Sequence, residues 1–373
     1  VDRLLGVTFT RMATGLLRQR GRDRLRDAAD ALERARAGGP APHDPVLRML
    51  AEGDAGVARR HERVRQALID FDAATITTTH GFCHQVLEGL GVAGDVDRDG
   101  RVVDEVDDLL LEVVDDLYVR RFGVRDDLFM KLDLARAMAR AAVGNPWARL
   151  EPAAAAPDTL PAIRVRLAEA VRRELEARKR RLGLVTYDDL LIRLHDAIGG
   201  PAGAAGRARL AARYEVALID EFQDTDPVQW AIVERAFGRG TLVLIGDPKQ
   251  AIYAFRGADV HTYLRAAAAA TTRATLGVNW RSDQGLIDAL GALFDGAELG
   301  LPGIRQVPVR AAPGHDDAGL TGAPVDAPLR VRVLRRDDPD VGLTQGGLVT
   351  KPSAAARIAG DLASEVGRLL ACG

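Results

Sequence analysis

Three short runs, residues 216–219, 241–245 and 275–278, are apolar or β-branched without interruption. A strand with one wet face alternates polar and apolar residues; a strand covered on both faces does not, so these runs predict neighbours in a parallel sheet. Helical stretches separate them, giving the βαβ rhythm of an α/β nucleotide-binding lobe. An earlier run, residues 4–10, leads directly into a helix over residues 11–37, which the Gly38-Gly39-Pro40 step ends. A second helix over 57–71 and a strand over 74–79 follow. From Asp95 to Arg181 the pattern is helical, broken at Gly144-Asn145-Pro146 and over 152–161, as in a helical insertion. Beyond Arg310 the chain is rich in Gly and Pro, then offers one strand, 329–334, and a helix, 353–370. With 373 residues of which 47% are hydrophobic, the chain can bury two or three cores. The expected division is 1–90, 91–182, 183–280 and 281–373.

Charge excludes little. The net value of -2 is compatible with a polyanionic partner, because a binding patch can be local. Basic residues cluster from Arg11 to Arg26 and from Arg172 to Arg181, acidic ones from Asp95 to Asp116. Solvated helix faces account for most such runs. Cys83 and Cys372 are too few and too far apart for a disulfide framework or a zinc site, which points to a reducing cytoplasm. No apolar run reaches bilayer length and no signal-peptide core opens the chain, so no membrane association is expected.

The densest chemical signal is Val216-Ala217-Leu218-Ile219-Asp220-Glu221-Phe222-Gln223-Asp224-Thr225. A buried strand that ends in two carboxylates presents them at the sheet edge where α/β folds bind ligands. One can hold Mg²⁺ and the other can orient or deprotonate a water, which is what phosphoryl transfer to water requires. Acidic residues after a strand also cap helices, but Asp226-Pro227 already supplies a cap and a first helical position. A second block, Leu244-Ile245-Gly246-Asp247-Pro248-Lys249-Gln250-Ala251-Ile252-Tyr253-Ala254-Phe255-Arg256-Gly257-Ala258-Asp259, also starts at a strand end. Gln250 is a neutral donor and acceptor able to sense a phosphate or a water. Tyr253, Phe255 and Arg256 combine two aromatics with a cation, a set that stacks bases and holds a strand's backbone. Packing in a core is the other use of such aromatics.

These blocks resemble helicase motifs II and III of the UvrD/RecB family within superfamily 1. Leu276-Gly277-Val278-Asn279-Trp280-Arg281-Ser282 is similar to motif IV, Val7-Thr8-Phe9-Thr10-Arg11-Met12-Ala13-Thr14 to motif Ia, and Thr78-Thr79-His80-Gly81-Phe82-Cys83 to the next DNA-facing motif. Val185-Thr186-Tyr187-Asp188-Asp189-Leu190-Leu191 resembles the segment that returns such chains from their insertion to the core. The resemblance implies a RecA-like P-loop NTPase lobe with a parallel sheet, a helical insertion and the start of a second RecA-like lobe. It implies ATP and Mg²⁺ as cofactors, Asp220 as metal ligand, Glu221 as general base, Gln250 as the link between γ-phosphate and DNA, and Arg281 as a cationic finger from the second lobe. Phe9, Thr10, His80, Tyr253, Phe255 and Arg256 would line the single-strand path. His80 by itself also suits a satisfied structural histidine. The Asp-Pro-Lys-Gln-Ala-Ile and His-Gly-Phe-Cys forms are closer to the RecB-like branch. That branch implies recombination and double-strand-break repair, DNA with single-stranded and double-stranded ends, and RecC-like and RecD-like partner subunits.

A phosphate-binding loop of the form G-x-x-x-x-G-K-[ST] is not among these residues: Lys131, Lys179, Lys249 and Lys351 are the lysines, and none follows a glycine. The resemblance places that loop just before Val1, and motifs V and VI with any nuclease beyond Gly373. An internal piece of an active helicase, inactive alone, is the expectation. A catalytically degenerate DNA-binding or scaffolding subunit of a helicase-nuclease complex is the alternative.

Overall fold

The computed structural model describes residues 1–90, 100–123, 130–315, 325 and 327–372. They form two compact units, Val1–Ala269 and Ala270–Gly373.

The first unit is built on four parallel strands in the order β2-β1-β5-β6, with β1 Leu4–Thr8, α1 Arg11–Arg36, α2 Pro45–Ala51, α3 Asp54–Ile69, β2 Thr75–Thr78 and α4 Thr79–Leu90 leading in. Then come β3 Arg101–Val103, α5 Asp107–Phe122, α6 Leu132–Val143, α7 Leu160–Leu182, β4 Leu184–Thr186, α8 Tyr187–Ile198 and α9 Ala204–Arg213. The unit ends with β5 Val216–Ile219, α10 Pro227–Phe237, β6 Thr241–Leu244 and α11 Val260–Ala269. Register is set by ladders that align Leu5 with Thr75 and Ala217, and Ile219 with both Val7 and Leu244.

Successive side chains of β1 point to opposite faces. Leu5 and Val7 enter a core with Phe82, Cys83 and Leu87 of α4, Leu190, Leu191 and Leu194 of α8, and Ile232, Val233 and Phe237 of α10. Gly6 faces the other way, and a Cβ there would lie 3.8 Å from Leu17 of α1. Helices therefore cover both faces of β1, but the expectation of burial on both faces fails at β6, where Val243 is 39% and the following Ile245 46% exposed. Two caps fix where helices leave the strand edge. Thr10 Oγ1 accepts the Ala13 N–H at 3.1 Å to start α1, and Thr186 with Asp189 forms a reciprocal capping box that starts α8.

Helices α5, α6 and α7 have a core of their own. Ile163, Leu167, Val171 and Leu175 recur every fourth residue along α7 and pack against Leu110, Val113 and Val114 of α5 and Ala135 and Ala139 of α6. Gly183, at φ 63, stops α7 in the left-handed conformation that a side chain disfavours. One expectation fails here. Arg101–Val103 is not helical; it pairs in parallel with β4, Val102 opposite Val185. Three residues are too few to carry a readable period. Residues 95–99 and 124–129 of the expected helical stretch lie outside the described residues.

The second unit contains β7 Val278–Asn279, α12 Gln284–Leu293, β8 Arg310–Ala311 and α13 Lys351–Cys372. The run 275–278 is not a sheet strand of the kind expected: only Val278 and Asn279 pair, with Arg310 and Ala311, and Leu276 is 88% exposed. Residues 329–334 form no strand, and their Arg330 and Arg332 instead bind Glu365 of α13. Alternation of Arg with Leu and Val imitated a strand, while the ion pairs took the arginines elsewhere. Among the described residues, no helix is long and apolar enough to cross a membrane.

Candidate functional site

The C-terminal ends of β1, β5 and β6 meet at one edge of the sheet. The Asp220 N–H donates to the Val7 carbonyl at 2.9 Å, which extends the ladder one residue beyond β5 and anchors this carboxylate. Burial pushes the Asp220 carboxyl above its usual range; a hydrogen bond from the Glu221 N–H, at 3.0 Å, opposes this, and the Glu221 charge adds to it. Glu221 is exposed and sits at φ 52, the left-handed region. A non-glycine residue there costs on the order of 1–3 kcal/mol and persists only where its surroundings fix it. Burial, then the Glu221 charge, also raises Asp224, and burial raises the helix-capping Asp226.

The loop after β6 runs alongside. Phe222 N–H donates to the Ile245 carbonyl at 2.9 Å, tying the two strand-end loops together. Burial would raise Asp247, but the Lys249 ammonium at 2.7 Å, the Lys249 N–H and the Gln250 amide at 3.3 Å outweigh it and hold the carboxyl below its usual range. Gln250 is thus exposed, with its amide resting on Asp247.

A row of aromatics continues from this loop. Tyr253 lies 5.1 Å from Phe9 and 5.8 Å from Phe255 between ring centroids, and Phe255 is 78% exposed. The core reading of Phe255 is therefore corrected: the ring faces solvent. Thr10 is spent on capping α1, and its carbonyl accepts the Thr14 N–H. His80 packs tilted against Tyr187, ring centroids 4.9 Å apart, the Tyr187 hydroxyl accepts from Arg11 at 3.1 Å, and burial lowers the histidine's basicity. Phe9 and His80 border an open cleft of about 930 Å³ that Asp188, Asp224 and Asp226 also line.

Of the residues singled out in the sequence, Asp220 and Glu221 share the edge with Gln250, and Phe9, Tyr253 and Phe255 form the row. His80 and Thr10 flank the same end of β1 and β2. Arg281 belongs to the second unit, where its N–H and that of Ser282 donate to Asn279 Oδ1 at 2.8 and 3.0 Å. The Arg256 side chain lies outside the described residues. Gln223, buried between the two loops, was not singled out, although it stands inside the Asp220-to-Thr225 block. Tyr187 likewise stood inside a recognised segment without an assigned contact.

The family model of the UvrD/REP helicase N-terminal domain matches residues 1–271. The chain is 47% identical over 381 residues to RecBCD enzyme subunit RecB of Mycolicibacterium smegmatis, covering all of this chain and 33% of that protein. It is 44% identical over 379 residues to the RecB subunit of Mycobacterium tuberculosis, covering 100% and 34%. With the RecB subunit of Escherichia coli the identity is 45% over 127 residues, 33% of this chain and 11% of that protein. The chain spans about a third of the length of the mycobacterial relatives. A parallel sheet whose strand ends carry the paired carboxylates, together with the match over residues 1–271, establishes that the chain belongs to the UvrD/REP helicase N-terminal domain family.

Proposed function

We propose that the protein containing this chain is a RecB-like, ATP-dependent DNA helicase that moves along single strands and serves recombination and double-strand-break repair. The observation that carries the reading is the common edge: two carboxylates after β5, the Gln250 loop after β6 and an exposed aromatic row, all on one compact unit.

Magnesium is commonly held in nucleotide sites by one or two carboxylates, with phosphates and waters completing its shell. Asp220 fits that demand. It is fixed by β1, and burial raises the cost of its charge, a cost that a cation relieves. Bound Mg²⁺ would supply charge neutralisation at the phosphates. Glu221, exposed at the edge, takes the proton of the attacking water. Gln250 reports the state of the terminal phosphate to the loop bearing Tyr253 and Phe255. Arg281 acts as the cationic finger of a second lobe. Phe9, Tyr253 and Phe255 stack bases, with Thr10, His80 and Arg256 along the same path. Residues 91–182 form an insertion in the first lobe, and RecC-like and RecD-like subunits are the partners that the RecB names of the relatives suggest.

The test is phosphate release and strand separation by the full-length protein with Mg²⁺, ATP and a duplex bearing a single-stranded tail. DNA-stimulated hydrolysis and unwinding are expected. Tight DNA binding with no nucleotide turnover would instead support a scaffolding subunit.

A further inference from the structure

Gln223 is 2% exposed, and both ends of its amide are used. Nε2 donates to Glu221 Oε2 at 2.7 Å, and Oε1 accepts the Asp247 N–H at 3.1 Å. The orientation of this amide follows from its partners. A backbone N–H can only donate, so it must face the oxygen, and an ionised carboxylate can only accept, so it must face the NH₂ group. A flipped amide would lose both bonds inside a buried site.

The backbone is shaped to admit this bridge. A Cβ on Gly246 would fall 2.7 Å from Gln223 Oε1, closer than a real Cβ comes, and 3.0 and 3.1 Å from Phe222 N and Gln223 N, where the backbone would have to give. Tyr263 donates its hydroxyl to the Gly246 carbonyl at 3.2 Å and holds the loop from the other side. Asp247, which supplies the N–H, also accepts from Gln250 through its carboxylate. A continuous run of contacts thus goes from Glu221 through Gln223 and Asp247 to Gln250, three residues before Tyr253.

We propose that Gln223 is a positioning residue that transmits the placement of the aromatic loop to Glu221, and so links strand binding to hydrolysis. The inference rests on the reading of Glu221 as general base. Glu221 occupies a left-handed backbone with its carboxylate gripped by one side chain, so its aim depends on where that side chain is held. Without DNA the loop after β6 is held by protein contacts alone. A strand stacked on Phe255 fixes the loop further, and the bridge passes this on to the carboxylate. Hydrogen bonding at one end is set by the loop and at the other by the base.

The test compares ATP hydrolysis by the full-length protein with and without saturating single-stranded DNA, in wild type and Gln223→Met. Methionine keeps the volume and removes both bonds. The ratio of DNA-stimulated to DNA-free kcat should fall by about tenfold or more, the size of one lost hydrogen bond to a charged group. KM for ATP and DNA affinity should stay within about twofold, since Gln223 is buried and its amide is used by Glu221 and Asp247. An equal fall in both rates would reduce Gln223 to a structural role, and an unchanged ratio would remove the bridge. If Gln223→Met does not fold, Gln223→Glu, which keeps an acceptor for the Asp247 N–H and removes the donor to Glu221, must show the reduced ratio, and a wild-type ratio there overturns the proposal. A wild-type protein without DNA-stimulated hydrolysis would sink the helicase reading itself, a result separable from loss of the bridge alone.

Discussion

The sheet edge and the helical segment α5–α7 lie in one unit and use their carboxylates in opposite ways. In the helices, Arg178 reaches Glu112 at 2.7 Å, Asp116 at 2.5 Å and Glu174 at 3.0 Å, while Arg136 grips Asp115 through two nitrogens at 2.6 and 2.9 Å. Those contacts hold Asp115 and Glu174 below their usual range, the Arg136 and Arg178 hydrogen bonds being the main causes. In the loop after β5 burial dominates and pushes Asp220, Asp224 and Asp226 upward, whereas Asp247 after β6 is held down by Lys249. Acids neutralised by arginine stabilise a fold; acids buried where charge is costly favour a cation, a proton or a reaction, and such perturbed groups cluster at functional sites. The contrast supports the proposed reading, in which the helices are scaffold and the strand ends carry the chemistry.

The comparison can be broken most forcefully at Glu221. Glu221→Gln keeps the shape and the hydrogen bond from Gln223 but removes the base, so turnover by the full-length protein should fall about 10²- to 10⁴-fold with nucleotide still bound. Near-normal phosphate release would remove Glu221 from the mechanism. Leu167, 4% exposed in the helical core, should show the converse. Leu167→Ala is expected to cost about 2–5 kcal/mol of stability, read by denaturant unfolding, with hydrolysis intact below the transition. A proportional loss of kcat in the folded protein would mean the helices shape the reaction.

A smaller effect is expected at the aromatic row. Phe255→Ala should weaken single-strand affinity by about 1–3 kcal/mol in a titration at fixed salt, with no change in unfolding, because the ring is already exposed. Unchanged affinity would send the strand along another path.

The least effect, and the one that distinguishes the regions by sign, is pH. Where the folded value is raised, as for Asp220, Asp224 and Asp226, the native state binds the proton first. Stability of the edge should therefore rise as pH falls through those raised values toward the unfolded value of about 4. For Asp115 and Glu174 the folded value is depressed, so their contribution is complete above the unfolded value and is lost as pH falls through the lower folded one. Hydrogen exchange corrected for intrinsic rates should show the loop after β5 gaining protection as pH falls toward about 4, and the helices losing it as pH falls further. The same sign in both regions would contradict the assignment of causes.

The parts legible in sequence were those where one physical cause dominates. Residues 216–219 form the expected strand, Ala217 and Ile219 buried on one face and Val216 and Leu218 half-buried on the other, and the Asp226-Pro227 cap starts α10 as expected, with Asp226 accepting from Val228 and Gln229 at 2.7 and 2.8 Å. Runs 275–278 and 329–334 have strand-like composition, but among the described residues they find no partners to complete a wide sheet, and partners are a tertiary property. The site divides in the same way. A pair of acids at a strand end can be seen in one dimension, whereas the bridge through Gln223 joins residues 24 apart and depends on the space beside Gly246.

The most direct measurement of the claim that the strand ends, not the helices, hold the chemistry is hydrogen exchange of the full-length protein with and without Mg²⁺ and a non-hydrolysable ATP analogue. The account predicts new protection in the loops after β5 and β6, around Asp220 to Asp226 and Gly246 to Gln250, with α5 to α7 unchanged. Protection confined to α5–α7, with the two strand-end loops exchanging as before, would contradict it.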